Sequence, residues 1–227
     1  MRPICLTALA ATALALASCA TTDEGSAKDI KFSGFLGDYS DLKKGTGGQP
    51  DYVYVMPGIN LAPYTRIMID PPQAWVTSAQ REKLGEKDLS YLLTSLDKAY
   101  RDALGAKWEL VDRPAADVIR IRLAIDNAHG DIGVLTPFSR ILPWGLVAEE
   151  GVKVTTGSYL NDGSITAEEE ILDGGTGKRL AAAVDCRTGG NSVTNVFSNW
   201  GDVKDACSYW ANKNVQRLMD WGMKPTK

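Results

Sequence analysis

The stretch SITAEEEILDGGTGKRLAAAVDCR, residues 164–187, has the pattern of a β-hairpin and sets the class of fold. Two strand-like runs flank the glycine-rich turn Gly174–Gly177, a spacing that favours two antiparallel strands. On the first strand, Glu168 and Glu170 are expected to point to one side of the sheet and Glu169 to the other. The predicted strands are 164–173 and 178–187.

Strand and helix patterns alternate on both sides of this hairpin. Thr77 and Gln80 fit a helix capping box, and apolar residues recur at helical spacing from there to Leu104. A second helix is predicted to end near Gly222. Further strands are predicted at Tyr52–Met56, Tyr64–Ile69, 107–112 and 117–127. The order predicts one α+β domain over residues 32–227, a mostly antiparallel sheet with two long helices packed on one face.

The composition is that of a single globular domain. The chain has 227 residues, of which 44% are hydrophobic and 23% charged, and its formal net charge is −3. It contains no basic block and no arginine-rich helix. This balance argues against nucleic acid as a partner.

The N-terminus has the pattern of a bacterial export signal. Arg2 precedes an apolar run, Ile4–Ala17, that is shorter than the ~20 residues a transmembrane helix needs. The end of that run, Leu16–Cys19, resembles the lipobox of bacterial lipoproteins, which implies removal of residues 1–18 and acylation at Cys19. Ordinary secretion is the alternative, because Ala15-Leu16-Ala17 also fits a small-x-small cleavage site.

The lipobox predicts a membrane anchor for the domain. Several acyl chains, such as palmitate, at ~0.8 kcal/mol per buried CH₂ make such anchoring effectively stable. Ala20, rather than an aspartate, follows the cysteine, which by the sorting rule for such lipoproteins favours the outer membrane, facing the periplasm. Residues 19–31 are predicted to be the lipidated cysteine and a flexible tether of ~20 Å. The residues expected to fix the tether to the domain are Phe32, Phe35, Leu36, Tyr39 and Leu42.

Two cysteines remain in the mature domain once Cys5 leaves with the signal and Cys19 carries lipid. An isolated pair in an oxidising periplasm is usually bridged, so we predict a Cys186–Cys207 disulfide. Two buried thiols are the alternative, because Cys207 shares an apolar helix face with Trp210.

Motifs for catalysis or metal binding are weak in this sequence. His129 is the only histidine, with Asp126 and Asp131 as its local candidate partners, and we interpret it as a loop residue. Ser95 and Lys98 match S-x-x-K but lack the companion motifs of serine–lysine acyl enzymes, which favours an exposed helix face. We therefore predict no catalytic residue, no cofactor and no metal.

The glutamate triplet has two interpretations. Glu168 and Glu170, ~7 Å apart on one face, could hold a cation or form an acid/base pair. The alternative is a solvated face, or charge pairing with Arg120, Arg122 or Arg179 on neighbouring strands. The second interpretation is preferred, because that strand carries no aromatic residue for sugar stacking.

The segment 134–150 is rich in large apolar residues without a clean helical or strand period. It is either a flap that closes the core or a contact surface for a partner or lipid, since exposed apolar patches usually mark such sites. The candidate partner-binding residues are Phe138, Ile141, Leu142 and Trp144.

Several stretches together resemble an uncharacterised family of proteobacterial lipoproteins, domain of unknown function 3313. They are Ser33–Leu36, Asp38–Ser40, Tyr64–Asp70 and Glu168–Gly177. The resemblance covers roughly residues 32–221 and implies an envelope location and a single domain. The family has no agreed activity to transfer.

The leading hypothesis is a lipid-anchored, non-enzymatic module that binds another component of the cell envelope. A hydrolase of wall or lipid is the first alternative, and it would use Glu168, Glu170 or His129. A carrier of an apolar ligand, held between sheet and helices, is the second.

Overall fold

The computed structural model describes residues 30–126, 164–188 and 199–227. The helices are α1 (Ser78–Gly105) and α2 (Asn199–Asp220). The strands are β1 (Lys43–Lys44), β2 (Tyr52–Val55), β3 (Arg66–Ile69), β4 (Gln73–Ala74), β5 (Glu109–Leu110), β6 (Val118–Asp126), β7 (Ser164–Asp173) and β8 (Arg179–Thr188). The predictions on the signal peptide, Cys19, His129 and the segment 134–150 lie outside the described residues.

These strands form one mixed sheet that is mostly antiparallel, as predicted. Its order is β1-β2-β8-β7-β6-β3-β5, with β4 paired to β6 beside this path. In the sheet, the neighbouring strands β1, β2, β8, β7 and β6 are antiparallel to one another. Strand β3, in contrast, pairs in parallel with both β5 and β6. The parallel part was not predicted. It follows from the helical crossover, because α1 separates β3 from β5 and β6, and strands joined through a helix run in parallel.

The predicted hairpin is present and divides the glutamates as expected. In the register of β7 and β8, Glu170 lies opposite Ala182 and Glu169 opposite Ala183. Asp185 is two residues from Ala183 on β8, so it points to the same side of the sheet as Glu169. On this side, Tyr100 of α1 donates a hydrogen bond to Glu169, and Trp210 of α2 donates one to Asp185. We call this side the helix face and the opposite side, with Glu168 and Glu170, the outer face.

Helix α1 begins as its sequence indicates. Thr77 is the N-cap and forms a reciprocal capping box with Gln80, which satisfies two backbone donors of the first turn. Gly85 interrupts the helix with φ 75° and ψ 153°, a conformation that glycine adopts without a Cβ penalty. Beyond this break, the apolar face joins α2 and the strands in one core cluster. Its members include Leu92, Leu96, Val203, Leu218, Ile67, Ile121 and Ile171.

A second, smaller apolar cluster lies on the outer face and is closed by the first described residues. Phe35 and Leu36 are buried there against Ala124, Ala182 and Val184. Tyr39 and Leu42 pack around them, as predicted. We call residues 30–42 the docked segment, because it covers the outer face of the sheet.

The predicted Cys186–Cys207 disulfide is not formed in the structure. Cys186 lies on β8 between Asp185 and Arg187, which both contact α2. Because neighbouring strand residues point to opposite faces, Cys186 is on the outer face. Cys207 is buried in the core under the helix face, where burial raises the pKa of its thiol to about 12. The sheet therefore separates the two sulfur atoms, as the alternation of side chains along β8 requires.

Candidate functional site

Glu168 is a completely buried carboxylate on the outer face. Its side chain is 0% exposed. One oxygen accepts a hydrogen bond from the backbone N–H of Ser33 at 2.8 Å, and the other accepts one from the Tyr39 hydroxyl at 2.6 Å. Burial, followed by this carboxylate, raises the pKa of Tyr39, so the phenol stays a donor. Both oxygens of Glu168 therefore hold the docked segment.

Glu170, its neighbour on the same face, is the centre of an ion-pair network. It is 4% exposed and accepts hydrogen bonds from Arg122 at 2.6 Å and Arg179 at 2.7 Å. Arg179 also donates to the backbone carbonyls of Leu36 and Asp38, at 2.5 and 2.7 Å. The network thus joins β6, β7 and β8 to the docked segment through charge-assisted hydrogen bonds.

The predicted charge pairing of the outer-face glutamates is confirmed for two of the three arginines. Arg122 and Arg179 bind Glu170, whereas Arg120 pairs with Asp70 at 2.6 Å. The guanidinium of Arg122 also lies 4.8 Å above the Phe35 ring, a cation–π contact. The solvated face, by contrast, is wrong, because the docked segment covers it.

Glu169 is buried on the helix face between the two helices. It accepts a hydrogen bond from the Tyr100 hydroxyl of α1 at 3.2 Å and one from the side-chain amide of Asn214 of α2. Burial raises its pKa to about 7, although Arg217 and the bond from Tyr100 act in the opposite direction. This carboxyl therefore titrates near neutral pH and links both helices to the sheet.

Sequence reasoning placed Glu169 on the correct face but missed its role. Its signal is an acidic residue among apolar ones, because Ala167 and Ile171 share its face of the strand. Asn214 carries the same signal on α2, where it interrupts the apolar face that contains Trp210 and Leu218. A polar residue on an apolar face predicts a buried hydrogen-bond partner.

A second polar link connects α2 to β8. Asp185 accepts hydrogen bonds from the indole N–H of Trp210 at 2.7 Å and from Arg187 at 2.9 Å. The guanidinium of Arg187 lies 4.0 Å from the centre of the Tyr209 ring. The other oxygen of Asp185 accepts from the backbone N–H of Asp51 at 3.2 Å, which ties the start of β2 to the same link.

The stretches that resemble the lipoprotein family meet one another in space. Besides the contacts of Ser33 and Tyr39 with Glu168, the Tyr64 hydroxyl donates to Asp173 at 2.5 Å. Burial first, and then Asp173, raise the pKa of Tyr64 to about 12. Hydrogen bonds between these motif residues therefore connect parts of the chain that are far apart in the sequence.

The remaining candidates have simpler environments or are outside the described part. Lys98 pairs with Asp102 at 2.6 Å on the exposed side of α1, in agreement with the interpretation of S-x-x-K as a solvated helix face. No group of three potential metal-ligating residues occurs in ranges 30–126, 164–188 and 199–227. No helix within these ranges is long and apolar enough to cross a bilayer. The structure does not test Phe138, Ile141, Leu142, Trp144, His129 or Cys19.

Comparison with known proteins identifies the family. Residues 31–214 match the family described as "Protein of unknown function (DUF3313)", and the chain belongs to it. A curated relative, the "Uncharacterized lipoprotein YdcL" of Escherichia coli, is 28% identical over 173 residues, which cover 75% of this chain and 76% of the relative. The resemblance drawn from the sequence is thus confirmed.

Solved structures show only remote similarity to this chain. The PelC dodecamer from Paraburkholderia phytofirmans is 10% identical, with a TM-score of 0.38, over 76% of this chain and 98% of that one. Protein XCC0632 from Xanthomonas campestris is 10% identical, with a TM-score of 0.37, over 74% and 91% of the two chains. These scores are too low to establish a shared fold.

Proposed function

We propose that this protein is a lipid-anchored, non-enzymatic module of the bacterial envelope that binds another envelope component. The lipobox ending at Cys19 supports the anchor, as does the lipoprotein name of the relative from Escherichia coli. Ala20 after the cysteine favours the outer membrane, with the domain in the periplasm.

The observation that carries this proposal is the way in which the outer-face carboxylates are used. Both oxygens of Glu168, and the arginines around Glu170, hold the docked segment, which continues directly into the proposed tether. A domain fastened in this way presents a defined side to its anchor. An acid/base role would require these buried carboxylates to be uncovered and freed from Tyr39, Arg122 and Arg179.

The proposed contact with a partner uses the apolar segment 134–150. Its candidate residues are Phe138, Ile141, Leu142 and Trp144. Aromatic side chains contribute strongly to the binding energy of protein interfaces because they bury a large apolar area. No nucleic acid and no cofactor are part of this proposal.

Replacing Cys19 with serine is expected to release the protein from membranes. A hydroxyl at this position cannot take up the thioether-linked lipid, so the anchor of several acyl chains is lost. Membrane fractionation and metabolic labelling with a fatty acid measure both effects, and Cys186→Ser is the matched control. Equal labelling and equal membrane association of Cys19→Ser and the wild type would exclude the lipobox.

Replacing Phe138 and Trp144 together with serine is expected to reduce capture of the partner about tenfold or more, which corresponds to at least ~1.4 kcal/mol. Capture is measured by cross-linking the acylated protein in intact cells and identifying the joined protein. The control is Phe138→Leu with Trp144→Phe, which keeps the apolar character. Full capture by the serine variant would contradict the proposed contact surface.

A further inference from the structure

Among the residues whose exposure the structure describes, two large hydrophobic side chains are exposed, and both are aromatic. Phe32 is 40% exposed and Trp75 is 41% exposed. Single exposed apolar residues are normal on protein surfaces, so a functional role for these two must be argued from what surrounds them. We call Phe32 and Trp75 the aromatic rim.

One residue of the aromatic rim is part of the docked segment, and the other packs against that segment. Phe32 belongs to it and stacks on Tyr39, with ring centres 4.4 Å apart and planes at 9°. Trp75, which follows β4, meets the Phe35 ring edge-on at 5.9 Å. Its indole N–H donates to the Gln73 side chain at 3.0 Å, so the polar atom is satisfied while the ring stays exposed.

The chain connects this rim closely to the proposed lipid anchor. Phe32 follows Cys19 by 13 residues, which span at most ~45 Å when fully extended and about 20 Å on average as a coil. Acylation at Cys19 therefore keeps the aromatic rim within a few tens of ångströms of the bilayer. Tethering makes any contact between rim and bilayer intramolecular, which favours even weak contacts.

We propose that the aromatic rim is the surface through which the domain lies on the bilayer that carries its own anchor, an inference that rests on the lipid anchoring proposed above. Tryptophan and other aromatic side chains are favoured at the membrane–water interface, where the ring is in the headgroup region and polar atoms stay hydrated. The satisfied indole and exposed ring of Trp75 fit this environment.

Electrostatic attraction has a minor part in this contact. Lys31 precedes Phe32 and is exposed, and Lys44 is paired with Tyr52, whose ring touches Phe32. The exposed residues Asp38 and Asp41 of the same segment offset these charges. We therefore expect the contact to persist on zwitterionic lipid. For this reason the test membrane is made of phosphatidylcholine.

The test uses the full acylated protein in phosphatidylcholine vesicles whose acyl chains carry bromine, which quenches nearby tryptophan. We expect the bromolipid to quench part of the wild-type emission. Trp75→Phe should lose most of this quenching, and Phe32→Ser should reduce it because the rim is incomplete. Trp221→Phe is the matched control and should keep it, because Trp221 packs against the core.

The possible failures are distinguishable. Acylated protein that floats with the vesicles but shows the same quenching in Trp75→Phe as in the wild type would overturn the aromatic rim and leave the anchor intact. The membrane contact of the rim is likewise overturned if a second copy or a partner protein shields Trp75, detected as a cross-link at that position. Protein that fails to float overturns both proposals. Thermal unfolding of each variant in detergent shows that the fold is kept.

Discussion

Replacing Glu170 with glutamine is expected to lower the free energy of unfolding by about 3 kcal/mol. Glutamine has the same shape but no charge, so Arg122 and Arg179 lose the carboxylate with which both of them pair. Removal of one partner from a buried ion pair costs about 3–5 kcal/mol, and the partial exposure of the two arginines places this case at the lower end. The docked segment should loosen as well, because Arg179 holds its backbone carbonyls.

Urea unfolding of the purified domain at pH 7 measures the change, and Glu86→Gln is the matched control. Glu86 also pairs with an arginine, Arg81 at 3.0 Å, but its side chain is 78% exposed. Exposed pairs contribute at most about 1 kcal/mol, so this variant should resemble the wild type. Equal losses in the two variants would contradict the role assigned to the buried network.

The structural role of the outer-face glutamates changes how the alternative functions can be tested. Substitution of Glu168 or Glu170 cannot by itself reveal catalysis, because both carboxylates hold the docked segment in place. A lost phenotype in such variants would follow from instability alone. An enzymatic interpretation therefore requires activity measurements on protein shown to be folded, with the docked segment still protected from proteolysis.

The elements that could be predicted from the sequence are those with local signals. The hairpin of β7 and β8 has a glycine-rich turn between two strand-like runs, and the capping box at Thr77 and Gln80 is complete within four residues. The aromatic residues of the docked segment are recognisable because they follow a polar stretch abruptly. Each of these depends on neighbours in the chain.

The features that could not be predicted depend on residues far apart in the sequence. Three successive glutamates are typical of a solvated strand, and only the docked segment, more than 120 residues earlier in the chain, buries two of them. The parallel pairing of β3 with β6 likewise depends on the path of α1 between them. Long-range packing of this kind overrides the local preference of a residue for solvent.

Glu169 is the group from which we expect the largest effect of pH on stability. Its pKa is raised from 4.5 to about 7, with burial as the largest cause. Between these two values the unfolded chain has already released the proton while the folded chain retains it, so the free energy of unfolding falls as pH rises. The contribution is fully present below pH 4.5 and lost above pH 7, and the shift corresponds to roughly 3 kcal/mol.

Burial favours the neutral form of Glu169 and outweighs Arg217 and the hydrogen bond from Tyr100, which favour the charged form. The buried Oδ1 of Asn214 has no hydrogen-bond partner among the described residues. If the Asn214 amide turns over, a protonated carboxyl can donate to this oxygen, whereas a carboxylate cannot. Glutamine at position 169 would keep a neutral side chain with a donor, so Glu169→Gln should match the wild type near pH 5 and exceed its stability near pH 8 by up to about 3 kcal/mol.

Urea unfolding at intervals between pH 5 and pH 8 measures this difference. The window avoids Asp117 and Asp173, whose pKa values are lowered by hydrogen bonds from Arg66 and Tyr64, so that they titrate at lower pH. Subtraction of the wild-type curve removes the contributions of all other groups that the variants share. Glu86→Gln is again the control and should keep the wild-type slope, because Glu86 is exposed. An unchanged slope in Glu169→Gln would show that Glu169 is ionised in the folded protein throughout this range.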